Sequence, residues 1–220
     1  LRDLLEASVD FDMVRRCTAF KLFISATNVE TGKVKVFARE HLTADMVMAS
    51  ACLPMFYQAV EIDGAPYWDG GYMGNPVLFP FHGNTDTDDV IVVQINPIKR
   101  KGVPRTPLDI QSRINEISFN SSLLAELRSI DFVDRLIRDG KLSRNAYRQV
   151  RVHVIGNEAA LNPLGASSKM NAAWDFLTKL RDLGRDTATA WLAENLPFVG
   201  KRGTVDLRHM FQDLGGQHQG

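Results

Sequence analysis

The sequence predicts an α/β protein in which helices cover a mixed sheet. Three observations carry that reading. Residues 90–95 (VIVVQI) form an unbroken apolar run of strand length, closed by Asn96-Pro97, as suits a strand covered on both faces. Residues 107–139 place Ile114, Ile117, Leu124, Leu127, Ile130, Val133 and Ile137 at three- and four-residue steps. That is the period of a long helix, with Gly140 at its C′ position. Residues 57–62 and 65–68 flank Asp63-Gly64, a two-residue hairpin signal.

The remaining elements follow from the same rules. Leu1, Leu4, Leu5 and Val9 recur at helical spacing, so residues 1–15 read as one amphipathic helix. Residues 20–27 (FKLFISAT) have strand composition, and Thr31-Gly32 turns the chain into a returning antiparallel strand at 34–38. Thr43 is a fitting N-cap for a short helix through Ala51, with Asp45 in its first turn and Pro54 as its stop. Val150, Val152 and Val154 alternate with Arg151 and His153, which marks another strand near a sheet edge. Ser167 or Ser168 is expected to cap a helix through Leu183 that Gly184 ends. A further helix is expected over 186–195, and Thr204 is expected to cap a last short one. No repeat and no long linker divides the chain, so residues 1–212 read as part of one domain and residues 213–220 as a frayed tail.

Composition narrows the function classes. The 220 residues carry 26 basic and 26 acidic side chains, a formal net charge of zero. A nucleic-acid binder would normally show a basic excess, so no nucleic acid is expected as partner. The two cysteines, Cys17 and Cys52, stand in no CxxC or CxxH spacing and are read as free, buried thiols. Neither a metal nor an organic cofactor is expected. No run of 18 apolar residues exists, so no transmembrane helix is expected. The first residue is Leu1, and LRDLLEASVDFDMVRR reads as mid-protein helix; the expectation is that the true N-terminus lies upstream.

Several other features invite a function and are better read as structure. Residues 84–89 (NTDTDD) lack the glycine and the distal glutamate of a calcium loop. Lys99, Arg100, Lys101 and Arg105 make a basic loop that could meet anionic headgroups but is more simply a solvated turn. None of the five histidines, His41, His82, His153, His209 and His218, is marked as catalytic by its neighbours. Asn120-Ser121-Ser122 matches a glycosylation triplet but falls on the long helix. Met46, Met48, Met55, Phe56, Met73, Leu78, Phe79 and Phe81 are expected to be mostly core, with some lining an apolar cleft.

The segment richest in chemistry is Tyr67-Trp68-Asp69-Gly70-Gly71-Tyr72-Met73-Gly74-Asn75-Pro76. An acidic residue at a strand end is followed by two glycines, which permit close backbone approach. Such a carboxylate could accept a proton from a nucleophile. Asp-Gly is equally a common turn dipeptide.

The order Ser25-Ala26-Thr27-Asn28-Val29, then Ala49-Ser50-Ala51-Cys52-Leu53-Pro54, then Glu61-Ile62-Asp63-Gly64, then Tyr67-Trp68-Asp69-Gly70-Gly71 and Asn75-Pro76 closely resembles the second half of the patatin-like phospholipase domain. The stretches INEISFNSSLLAELRSIDFVDRLI (114–137) and SSKMNAAWDFLTKLRDL (167–183) also look like the C-terminal part of bacterial members. The resemblance implies a three-layer α/β/α fold and a lipid acyl hydrolase of phospholipase A type with a Ser–Asp dyad. It implies Asp69 as the catalytic aspartate, with Gly70 and Gly71 as its backbone support. It further implies a phospholipid or other acyl-ester lipid as substrate, in a cytoplasmic protein with peripheral membrane contact.

The chain departs from that pattern in two respects. No Gly-x-Ser-x-Gly elbow occurs in it, and Gly165-Ala166-Ser167-Ser168-Lys169 lacks the second glycine. The glycine-rich oxyanion loop is absent too. The expectation is therefore an incomplete domain, without its N-terminal strands and nucleophile elbow, and inactive alone. A companion chain or a missing N-terminal half would complete it. Two other functions remain open on the sequence: a non-catalytic lipid- or partner-binding module, and a glycosidase using Asp63 and Asp69 as paired carboxylates.

Overall fold

The computed structural model describes residues 1–165, 168 and 171–212. The chain is α/β and divides into two compact units, Leu1–Asn84 and Thr85–Gly220. The sequence has no linker composition at this division. The expected tail at 213–220 lies outside the described residues.

The first unit is built on an antiparallel sheet of four strands. In chain order these are β1 (Phe23–Asn28), β2 (Val34–Ala38), β3 (Val60–Ile62) and β4 (Ala65–Asp69), lying side by side as β2-β1-β4-β3. The β3–β4 hairpin turns at Asp63 and Gly64, whose φ angles are 52° and 76°. Two consecutive positive φ values define the tight turn whose twist matches antiparallel strands. β1 lies between β2 and β4, placing Ala26 opposite Asp69 and Thr27 opposite Trp68.

Three helices complete this unit. The expected single N-terminal helix is two, α1 (Arg2–Ser8) and α2 (Phe11–Arg16). Val9 is extended, and the Asp10 side chain caps the second helix by accepting from the Met13 amide. The apolar period continues across this break, so periodicity alone could not reveal it. α3 (Ala44–Ser50) is capped by Thr43, as its sequence predicts. Its Met46 and Ala49 join Ala26, Phe37, Leu42, Ile62 and Tyr67 in a buried cluster. The sheet is therefore packed on the face that carries Ala26 and Tyr67, and by strand alternation Asp69 lies on that same face.

The second unit contains a parallel pair, β5 (Asp89–Gln94) and β6 (Arg151–Gly156), with Asp89 in register with Arg151 and Gln94 with Gly156. Between them runs α4 (Pro107–Arg138), capped by Thr106 and closed at Gly140, whose φ is 70°. The buried side of α4 is Asn120, Leu123, Leu127, Ile130, Asp131 and Ile137. Ile114 and Ile117, expected on the apolar stripe, are exposed. The expectation that β5 is covered on both faces is also corrected. Val92 is buried, but Ile91, Val93 and Ile95 are exposed along the alternate row.

Downstream lie α5 (Glu158–Leu161), α6 (Trp174–Asn195) and α7 (Leu207–Phe211). α6 runs through Gly184 without interruption, so the two helices expected at 167–183 and 186–195 are one, starting at Trp174. A mid-helix glycine costs about 1 kcal/mol relative to alanine, which a helix of 22 residues absorbs. The expected cap Ser167 lies outside the described residues, and Ser168 precedes the helix without capping it. α7 is capped by Asp206, not Thr204; the Thr204 hydroxyl is engaged elsewhere. No helix among the described residues is long and apolar enough to cross a membrane.

Candidate functional site

Asp69 is the last residue of β4, half-buried, and it begins a single 3₁₀ turn over Gly70–Tyr72. Three groups hold it. Its amide donates to the Cys52 carbonyl at 2.9 Å, at the end of α3. Its carbonyl accepts from the Thr27 hydroxyl on β1 at 2.8 Å. Its Oδ1 accepts from the Gly71 amide at 2.7 Å. Backbone and carboxylate are thus fixed from the helix, the neighbouring strand and the following turn. Thr27 and Cys52 are support residues that Asp-Gly-Gly does not itself announce.

Gly70 is required where it stands. A Cβ there would lie 2.2 Å from the Ser25 carbonyl oxygen and 2.5 Å from the Ser25 hydroxyl. The obstacle is backbone on a paired strand, so Gly70→Ala must push β1 and β4 apart. We expect it to destabilise the protein by about 2–3 kcal/mol. A urea titration of the variant checks this; an unchanged midpoint would show that the strands yield without cost. Gly71 is buried and supplies the amide for the Asp69 carboxylate.

The negative charge of Asp69 is felt by its neighbours. Burial pushes the Cys52 thiol up, against a backbone hydrogen bond at Val60, and Asp69 adds to the rise. Burial pushes the Tyr72 phenol up as well, again with Asp69 adding. Cys52 is buried, with its thiol donating to the Gln58 carbonyl, whereas Cys17 is only half-buried.

Apolar side chains surround the chain on either side of this turn. Met46 and Leu78 are buried, but Met55, Phe56, Tyr57, Met73 and Phe79 are exposed. Met55–Tyr57 follow closely on Cys52, and Met73 ends the 3₁₀ turn itself.

The paired-carboxylate reading fails on distance. Asp63 sits in the hairpin turn and Asp69 at the far end of β4. Six extended residues separate them by roughly 15–20 Å, whereas glycosidase carboxylates stand about 5–9.5 Å apart. The other candidates also resolve. Arg100 of the basic loop is drawn in by Glu116, donating to it from Nε at 3.0 Å and from a terminal nitrogen at 2.6 Å. Burial pushes the Glu116 carboxyl up, but Arg100 and Arg113 outweigh it and hold the group below the usual carboxylate range. Asn120 is buried and donates to the Pro97 carbonyl at 3.0 Å, which removes it as a glycosylation acceptor. His41, His82 and His209 are exposed, and His218 lies outside the described residues. Among the described residues no group of three or more His, Cys, Asp or Glu is placed to hold a metal ion.

One assembly was not anticipated. Asp89, at the start of β5, accepts from Arg151 at 3.0 and 2.8 Å, from His153 Nε2 at 3.0 Å and from the Gly200 amide at 2.9 Å. His153 is fully buried, and its Nδ1 lies 3.1 Å from the Thr204 hydroxyl. The hydrogen bond from Arg151 is the largest influence on Asp89 and holds its carboxyl far below the usual range, against the opposing effect of burial. Residues 84–89 thus give their last carboxylate to an internal ion pair.

Residues 1–82 match the model of the patatin-like phospholipase family. At the level of that family the activity is lipid acyl hydrolysis. The matched segment nearly coincides with the first compact unit and contains Asp69, Gly70 and Gly71. It is the N-terminal part of this chain and does not extend to residues 114–137 or 167–183, which the sequence resemblance includes. No curated protein matches the chain.

Proposed function

We propose that Asp69 is the proton-accepting half of a Ser–Asp dyad that hydrolyses acyl esters of lipids. The observation that carries this is its fixation by Cys52, Thr27 and Gly71 inside the patatin-matching segment, next to exposed Met55, Phe56 and Met73. The carboxylate takes the serine proton as the serine oxygen attacks the ester carbonyl. The alcohol leaves, and water then releases the acyl group from the serine. Gly70 and Gly71 act as backbone support.

The serine comes from a segment outside these 220 residues, since no Gly-x-Ser-x-Gly occurs in them. Supporting this, β5 and β6 form a parallel pair with one apolar row of β5 exposed. Parallel strands are ordinarily covered on both faces and paired on both sides. The completed protein is expected to touch membrane surfaces peripherally and to act in the cytoplasm.

The test is p-nitrophenyl butyrate hydrolysis. The 220-residue chain alone is expected to give no turnover above buffer. Adding an N-terminal segment that bears the elbow is expected to give turnover that Asp69→Ala abolishes. Turnover by the chain alone, lost in Asp69→Ala, would place a nucleophile within it and overturn the division. A second reading, a non-catalytic lipid- or partner-binding module, is favoured by the Asp69 Oδ1 contact, because that oxygen caps its own turn. Vesicle binding without turnover in the completed protein would select it.

A further inference from the structure

We propose that a cavity at the carboxyl ends of β5 and β6 binds a short-chain amphipathic carboxylate, with its charged end on Lys99. In open sheets of parallel strands, ligands bind in the crevice outside the carboxyl ends. Gln94 and Gly156, the last residues of β5 and β6, both line a cavity of about 330 Å³. That is within the size range of small-molecule sites.

The lining sorts into an apolar surface and one available cation. Ile98, Val154, Val205 and Met210 supply the apolar part. Three ionisable groups face the space: Lys99, Glu158 and His209. Glu158 keeps its negative charge, with one oxygen engaged: its Oε1 accepts from the Ile98 amide at 2.9 Å. His209 stands 3.9 Å from Asp206. Lys99 has no ion pair or hydrogen bond among the described residues. An ammonium beside an apolar wall selects an anion with a hydrocarbon tail. Gln94 gives one of its two amide N–H groups to the Asn96 carbonyl at 3.0 Å and carries no charge.

The cavity lies wholly in the second unit, beyond the patatin-matching segment, so the inference does not rest on the hydrolase reading. Isothermal titration of the full chain with sodium octanoate is the test, with octanol and octylammonium as comparisons. Octanoate is expected to bind with one-to-one stoichiometry, and the other two roughly tenfold or more weakly. Lys99→Glu, on the surface, is expected to weaken octanoate by roughly tenfold or more. Val205→Trp is expected to fill the cavity and abolish binding, with an unchanged urea midpoint confirming that it folds. Asp69→Asn is expected to leave octanoate binding as it was. No heat from millimolar octanoate, equal binding of octylammonium, or octanoate binding that survives Lys99→Glu would each overturn the proposal.

Discussion

Asp69→Asn, made in the protein completed by its nucleophile segment, lowers kcat for a short-chain ester by on the order of 10³–10⁴-fold, with KM little changed. The choice of asparagine matters. Its side-chain oxygen can still accept the 2.7 Å hydrogen bond from the Gly71 amide, so the 3₁₀ turn keeps its cap. The Cys52 and Thr27 contacts are to the backbone of residue 69 and survive any side chain. What asparagine cannot do is accept a proton from a serine hydroxyl. A loss confined to kcat, with the urea midpoint unchanged, therefore isolates the base. Asp69→Ala confounds the two roles, because losing a turn cap costs about 1 kcal/mol by itself. If Asp69→Asn retains activity within about threefold, the carboxylate only caps a turn and the dyad is wrong.

Much of this site could be read from the chain. The Asp63-Gly64 hairpin fixes where β4 starts, and five residues later the strand delivers Asp69. Thr43 and Gly140 mark their helix ends through local chemistry, a cap oxygen and a left-handed glycine, and the structure agrees at both. What stayed hidden is non-local. Nothing in the sequence says that the amide of Asp69 meets the Cys52 carbonyl, because that contact depends on how the end of α3 meets β4. The close approach of Gly70 to Ser25 likewise exists only once β1 and β4 are paired.

The errors share a cause. Periodicity joins α1 and α2 across Val9, and the glycine stop signal divides α6 at Gly184; each reports what a segment could do in isolation. Asp10 offers a competing cap and breaks one helix, while α6 is long enough to run through its glycine. The exposed rows at Ile91, Val93, Ile114 and Ile117 are a different matter. Hydrophobicity shows that these positions favour burial; it does not show that the burying partner lies in the same 220 residues.

Asp89 carries the largest expected effect on stability. It is the acceptor shared by Arg151, His153 and Gly200, with its side chain 11% exposed and that of His153 at 0%. Removing one partner of a buried ion pair costs about 3–5 kcal/mol, since the remaining charge is left without compensation. Asp88, 3.6 Å from Arg151, softens the loss, so Asp89→Asn is expected near the lower end, about 3 kcal/mol. That would move the urea midpoint by roughly 1–2 M. The pH dependence has a definite sign. The folded-state pKa of Asp89 is depressed, so its stabilisation is complete above the unfolded aspartate value near ~3.9 and is lost as pH falls below it. Protein with Asp89 intact should lose stability on going from pH 6 towards pH 3, and the gap to Asp89→Asn should shrink over the same window. A gap that is constant with pH would mean that the asparagine disturbs packing and that charge on Asp89 contributes nothing. His153 offers a cross-check, because it donates to Asp89 from Nε2 while Nδ1 faces Thr204. Thr204→Val should therefore weaken the fold by a smaller amount, about 1 kcal/mol, since it removes one neutral hydrogen bond and leaves the ion pair intact.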